Sequence, residues 1–120
     1  MKVLFVNTVF GKGSTGRIIK ELGDAVEHEG GKYRVAFGRG STDDPHGYKI
    51  GNELDRYMHA FLSRLTDRSG FYSKRATRKL IKYIEAYNPD IIHLHNLHGY
   101  YINLPLLFAY FKQSFKGRIV

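Results

Sequence analysis

A chain of 120 residues with 42% hydrophobic and 25% charged side chains has the composition of one globular domain, which excludes a disordered tail, a fibrous repeat and two independent cores. It contains no cysteine, so disulfides, thiolate catalysis and cysteine-ligated zinc are excluded together. The net charge is +8, and most of it is local: between positions 64 and 82, Arg64, Arg68, Lys74, Arg75, Arg78, Lys79 and Lys82 stand against Asp67 alone.

The elements follow in chain order. Lys2 to Asn7 is a β-branched and aromatic run that ends in a Gly/Ser/Thr cluster, the pattern of a buried strand running into a loop. Ser14 or Thr15 is expected to cap a helix whose apolar positions are Ile18, Ile19, Leu22, Ala25 and Val26, and Gly30-Gly31 stops it. Tyr33 to Phe37 reads as a second strand, residues 38–47 as a polar connector, and Tyr48 to Ile50 as a short third strand. Leu54, Tyr57, Met58, Phe61, Leu62 and Leu65 then keep a helical period, predicting an amphipathic helix.

After Gly70 a second helical stretch places Ala76, Leu80, Ile81, Ile84 and Tyr87 on one side and the basic cluster on the other, and Asn88-Pro89 ends it. Ile91 to His95 is a strand, and Asn103 is expected to cap a last helix with Pro105 in its first turn and Leu106, Leu107, Tyr110 and Phe111 on its apolar face. Arg118 to Val120 reads as the start of a further strand. An unfinished strand at that position is what the front part of a longer protein would show. Strands alternating with crossover helices predict a Rossmann-like α/β domain over residues 1–120, a parallel sheet with helices on both faces.

Three groups of residues carry possible chemistry. Gly11-Lys12-Gly13-Ser14-Thr15-Gly16 matches G-x-G-x-x-G between the first strand and the first helix, where glycines permit close backbone approach and the helix end receives an anion. A tight turn with a hydroxyl cap produces the same pattern. Arg17-Ile18 follows where a P-loop has Lys and Ser or Thr, which argues against NTP hydrolysis. Arg39 at the end of the second strand suits a 2′-phosphate, which keeps an NADP-binding oxidoreductase open as a different chemistry. His93, His95 and His98 raise a metal reading, but the favoured one places His93 in the core as a hydrogen-bonded residue, and His95 with Asn96 at the carboxyl end of the strand, where open α/β sheets bind ligands.

Val3 to Asn7, Gly13 to Arg17, Gly38-Arg39-Gly40 and, most specifically, the run from Pro89 through His95-Asn96-Leu97-His98-Gly99-Tyr100 to Asn103 resemble the amino-terminal half of bacterial GT-B glycosyltransferases of family 4. The resemblance implies the acceptor-side domain of a retaining, metal-independent enzyme of surface polysaccharide synthesis, with the nucleotide-sugar held mainly by a carboxy-terminal donor domain that would lie beyond Val120. It implies no cofactor, no catalytic residue within these residues and no activity for them alone. The acceptor is a glycan or a lipid-linked glycan. Gly13, Ser14, Thr15, Gly16 and Arg17 would approach the donor phosphates and the acceptor, and His95 and Asn96 would line the cleft. A cytoplasmic location follows from the lack of a signal-like start, and the basic stretch adds peripheral binding to an anionic inner-membrane surface. Nucleic acid is not expected, since no reading motif accompanies the basic residues. An open sheet edge and cleft face make self-association of the chain an expectation.

Overall fold

The computed structural model describes residues 1–11, 13–40, 42–51, 58, 60–62, 74–95, 97 and 102–120. Its strands are β1 (Lys2–Asn7), β2 (Lys32–Phe37), β3 (Gly47–Lys49), β4 (Ile91–Leu94) and β5 (Arg118–Ile119). Its helices are α1 (Gly13–His28), α2 (Lys74–Tyr87) and α3 (Leu104–Gln113). The strands form one five-stranded sheet in the order β3-β2-β1-β4-β5, and every pairing is parallel. This is the expected Rossmann-like α/β arrangement.

β1 is the centre of the sheet, in register with β2 from Lys2↔Lys32 to Asn7↔Phe37 and with β4 from Val3↔Ile91 to Val6↔Leu94. Side chains alternate across the pleat, so its two sets of apolar residues enter two cores. Leu4 and Val6 join Ala36, Ile50 and Ile92 beneath α2 (Ala76, Leu80, Ile84) and α3 (Leu107). Val3 and Phe5 join Tyr33, Val35 and Phe37 beneath Ile19 of α1. Helices therefore cover both faces, as the apolar runs of parallel strands require.

The helix boundaries have local causes. Asn103 caps α3 as expected: its Oδ1 accepts from Leu106 N at 3.0 Å. Its own N–H donates to the buried Thr77 Oγ1 at 2.8 Å, which fastens the start of α3 to α2. α2 ends where Asn88 turns to φ +53°, a left-handed conformation that asparagine tolerates, just before Pro89.

α1 departs from the sequence reading in two ways. It begins at Gly13, so Ser14 and Thr15 lie in the first turn and do not cap it. Its buried residues are Gly16, Ile19 and Gly23, whereas Ile18 and Leu22 are 49% and 38% exposed. The cause is close approach to the sheet: a Cβ at position 23 would strike the ring of Tyr33, so the helix seats on its glycines and turns the flanking apolar stripe aside. Beside that stripe lies an open groove of about 560 Å³, with Val3, Phe5, Ile91 and His93 in its lining together with Leu22, Ala25 and Val26. Within the amphipathic stretch, residues 58 and 60–62 are helical and Met58 and Phe61 are exposed, while Leu54, Tyr57 and Leu65 lie outside the described residues.

A charged cluster not anticipated from the sequence pins the connector between β2 and β3 to α1. The ring of His46 stacks on Tyr33 with centroids 4.1 Å apart, its Nδ1 meets Asp44 and its Nε2 lies 3.1 Å from Glu27 Oε2. Lys20 Nζ bridges Asp44 at 3.2 Å and Asp24 at 3.4 Å. Burial disfavours the charged imidazole, but the hydrogen bonds and charges of Asp44 and Glu27 outweigh it and raise the His46 pKa. Burial likewise opposes ionisation of Asp44, yet the His46 backbone and side-chain hydrogen bonds, with Lys20, hold its pKa down at about 2.

A raised folded pKa stabilises the fold fully below the unfolded value of about 6.5, and that contribution fades as pH climbs through the folded value. His46→Gln should therefore lower stability by about 1 to 2 kcal/mol near pH 5.5, the scale of hydrogen bonds to charged groups, and by less at pH 8.5. Urea unfolding of both proteins at the two pH values checks this, and an equal loss at both would show that His46 acts by packing alone.

Candidate functional site

In a parallel sheet of this order the chain runs outward from β1 to β2 and β3 and then returns to β4 on the other side of β1. The loops after β1 and β4 diverge there, and a crevice opens at the carboxyl ends of those two strands. The glycine loop follows β1 and His95 follows β4, so the topology brings two of the sequence-predicted groups to one edge.

Asn7 builds the first side of that edge. It closes β1 fully buried, and its Nδ2 donates to Val9 O at 2.7 Å and to Thr15 Oγ1 at 3.4 Å, tying the strand end to the loop and to the first turn of α1. Gly11 and Gly13 take φ of +74° and +66°, with open space where a Cβ would stand. Gly16 is constrained differently: a Cβ there would lie 3.1 Å from Gly11 N and 3.3 Å from Val9 Cγ2, so glycine gives the helix end and the loop a closer approach than a larger residue would without displacing them by a few tenths of an ångström. Gly13, Ser14, Thr15 and Arg17 are exposed at this end of α1, where free N–H groups and the helix dipole favour an anion. Lys12 lies outside the described residues.

His95 forms the other side. Its N–H donates to Val6 O at 2.9 Å, extending the β1–β4 ladder past the strand and placing its ring 6.1 Å from Phe5 and 4.3 Å from His93 by centroid. Its Nε2 is buried and without a hydrogen-bond partner among the described residues. Burial, with a smaller contribution from His93, pushes its pKa below the ordinary imidazole value, so the ring is neutral at neutral pH. A neutral ring of this kind accepts or donates one hydrogen bond to an uncharged hydroxyl.

His93 corrects the sequence reading. It is half-buried in the lining of the open groove and is no core histidine, because α1 covers β1 and β2 and leaves this part of β4 open. Asn96, His98, Gly99, Tyr100 and Tyr101 lie outside the described residues, and among the described residues no cluster of three His, Asp or Glu side chains can hold a metal ion.

Arg39 stands exposed at the end of β2, and its N–H and that of Gly38 both donate to Thr8 O, at 2.8 and 3.1 Å, which brings the end of β2 against the loop after β1. The basic residues Lys74, Arg75, Arg78, Lys79 and Lys82 are all exposed on α2, whereas Arg64 and Arg68 lie outside the described residues. Sequence reasoning passed over Asn7 as a site-building residue. The signal was a lone carboxamide closing an otherwise apolar strand.

No protein-family model matches the chain, and neither a curated protein nor a solved structure is found similar to it. Among the described residues no helix is long and apolar enough to cross a membrane.

The His95 ring should titrate below the ordinary imidazole value. In NMR titration of the ring protons, His95 should take up its proton at a lower pH than a free imidazole, and His93→Gln should move that midpoint upward by removing the second ring's charge. A His95 midpoint at the free-imidazole value, unmoved by the substitution, would show the ring to be solvated.

Proposed function

We propose that this domain is the acceptor side of a retaining glycosyltransferase that moves a sugar from a nucleotide-sugar to a glycan or lipid-linked glycan, and that it works at the cytoplasmic side of a membrane with a donor domain supplied outside these residues. The supporting observation is the pairing at one sheet edge of a glycine loop opening onto a helix end with a neutral, unsatisfied histidine. The first suits the charge that develops on a departing phosphate. The second suits the hydroxyls of a sugar, with Asn96 next to it in sequence. Gly13 to Arg17 would act on the phosphate side of the crevice and His95 and Asn96 on the acceptor side.

The test is sugar transfer by the protein that carries this domain, assayed with radiolabelled nucleotide-sugars on membrane and glycan acceptors. At Gly13 a Cβ would meet nothing, but the φ of +66° is one that side chains rarely adopt, so Gly13→Val strains the loop as well as placing a side chain in it. It should lower turnover at least about tenfold while circular dichroism stays native, as expected when charge stabilisation or positioning is lost. Unchanged turnover would refute the assignment.

Arg39 supports a second reading, since its backbone contact with Thr8 sets it at the sheet edge where a dinucleotide 2′-phosphate would lie. Under that reading the domain binds NADPH in preference to NADH, and Arg39→Ala abolishes the preference. Titration calorimetry with both nucleotides separates the two readings.

Membrane attachment rests on α2. Its first turn has no acidic residue, and Lys74 and Arg75 stand at the positive end of the helix dipole, where cations are unfavourable. With Arg78, Lys79 and Lys82 they form an exposed cationic stripe, and an anionic lipid surface offsets such a stripe by ~1 kcal/mol per residue before screening. The protein should co-sediment with anionic vesicles at low salt and be released at raised salt. Equal binding to neutral vesicles would sink this part of the proposal.

A further inference from the structure

We infer that His46 is a proton-operated latch: its doubly protonated ring fastens the β2–β3 connector and β3 to α1, and loss of one ring proton lets that unit open while the rest of the sheet stays folded. This is a conformational property of the fold, and it stands or falls separately from the glycosyltransferase reading.

The latch follows from donor and acceptor chemistry. A neutral imidazole carries one N–H and its second nitrogen is an acceptor, whereas an ionised carboxylate only accepts. Both nitrogens of His46 face carboxylates, Nδ1 that of Asp44 and Nε2 that of Glu27 at 3.1 Å. Two such bonds exist together only in the imidazolium form. The Tyr33 ring, stacked 4.1 Å away by centroid and tilted by only 6°, favours the same form, because a cation over an aromatic face is attracted to it. When the proton leaves, a nitrogen lone pair points at a carboxylate. Asp44 is two residues away on the connector itself, and its Oδ1 also accepts the His46 backbone N–H at 2.9 Å, so that contact is local. The contact with Glu27 crosses to α1, and Glu27 is exposed and can turn into solvent.

The remaining groups around the ring keep their charge states. On α1, Lys20 Nζ bridges Asp44 Oδ2 at 3.2 Å and Asp24 Oδ1 at 3.4 Å, and the Tyr33 hydroxyl of β2 lies 3.5 Å from Asp24 Oδ1. The hydrogen bond to Asp44 raises the Lys20 pKa, the Asp44 carboxyl titrates at about 2, and burial raises the Tyr33 hydroxyl. Between about pH 6 and 8.5 the imidazole is therefore the group of this cluster that changes charge.

What the latch holds is a small unit. β3 is three half-buried residues at the edge of the sheet. Val35 N donates to His46 O at 2.8 Å where β3 begins, Gly47 N donates to Asp44 O at 3.1 Å, and Lys49 Nζ closes the unit on Gly40 O at 2.8 Å. The unit ends at Ile50, which is buried beneath α2 and donates its N–H to Phe37 O at 2.7 Å. A short edge segment of this kind opens locally before the whole fold does.

Hydrogen exchange followed by NMR on the folded protein tests this, with each rate divided by the intrinsic rate at that pH. The amides of Val35 and Gly47 should be less protected than those of β1, and their protection should fall at least about threefold between pH 6 and 8.5. His46→Gln, which has no proton to lose, should abolish the fall. Val35 and Gly47 amides that exchange no faster than those of β1 at either pH would show that the unit opens only with the whole fold, and would overturn the inference. A fall that persists in His46→Gln would overturn it too.

Titration of the His46 ring protons supplies the second arm. Glu27→Ala changes an exposed residue, so the fold survives it, and it should lower the midpoint of the His46 ring and shrink the loss of protection. A midpoint unmoved by Glu27→Ala would show that the ring does not bridge to α1, and the latch would be refuted.

Discussion

The burial of β1 on both faces is the constraint on which the rest of the molecule depends. A strand at the centre of a parallel sheet gives up its side chains to two cores, so Leu4 and Val6 fix where α2 and α3 lie, and Val3 and Phe5 fix the layer of α1. The same burial makes the strand's last residue exceptional. Asn7 is as buried as its apolar neighbours, and its amide group must be satisfied by the backbone beyond it. The demand of a single carboxamide thereby shapes the loop on which the candidate site is built.

The site and the scaffold meet through glycine at α1. Gly23 lets the helix approach Tyr33, and Gly16 lets the helix end approach the loop, so the N–H groups of the first turn open at the end of β1. Beside this glycine face, Lys20 and Glu27, each one turn on from a glycine, join Asp44 and His46 in holding the β2–β3 connector against α1. That cluster is partly shielded, which lets its ion pairs count for more than the usual surface pair. Its role is to keep α1, and with it the anion-receptive end, in one position relative to the sheet edge.

Edge and face divide the work. At the carboxyl edge His95 sits neutral beside the end of β1, with its Nε2 buried and without a partner among the described residues. The open face beside α1 is mainly apolar, with His93 and Glu29 the charged or titratable side chains in its lining. The cationic stripe of α2 lies on the layer opposite α1, so it leaves the open face beside α1 untouched.

The sequence alone determined the strands, the alternation with helices and hence the parallel sheet, because β-branched runs, glycine stops and a 3.6-residue period are local signals. Asn103 as a cap and Asn88-Pro89 as a stop were legible for the same reason. It also marked the glycine loop and His95, whose placement follows from strand ends and topology. The exposure of Ile18 and Leu22, the open position of His93, the work of Asn7 and the clamp around His46 were not legible. Each depends on which side of a helix meets which strand, and periodicity marks an apolar stripe without saying what covers it. Only the tertiary structure decided that α1 seats on its glycines and leaves part of the sheet bare, because that outcome rests on the contact between Gly23 and a tyrosine ring ten residues away.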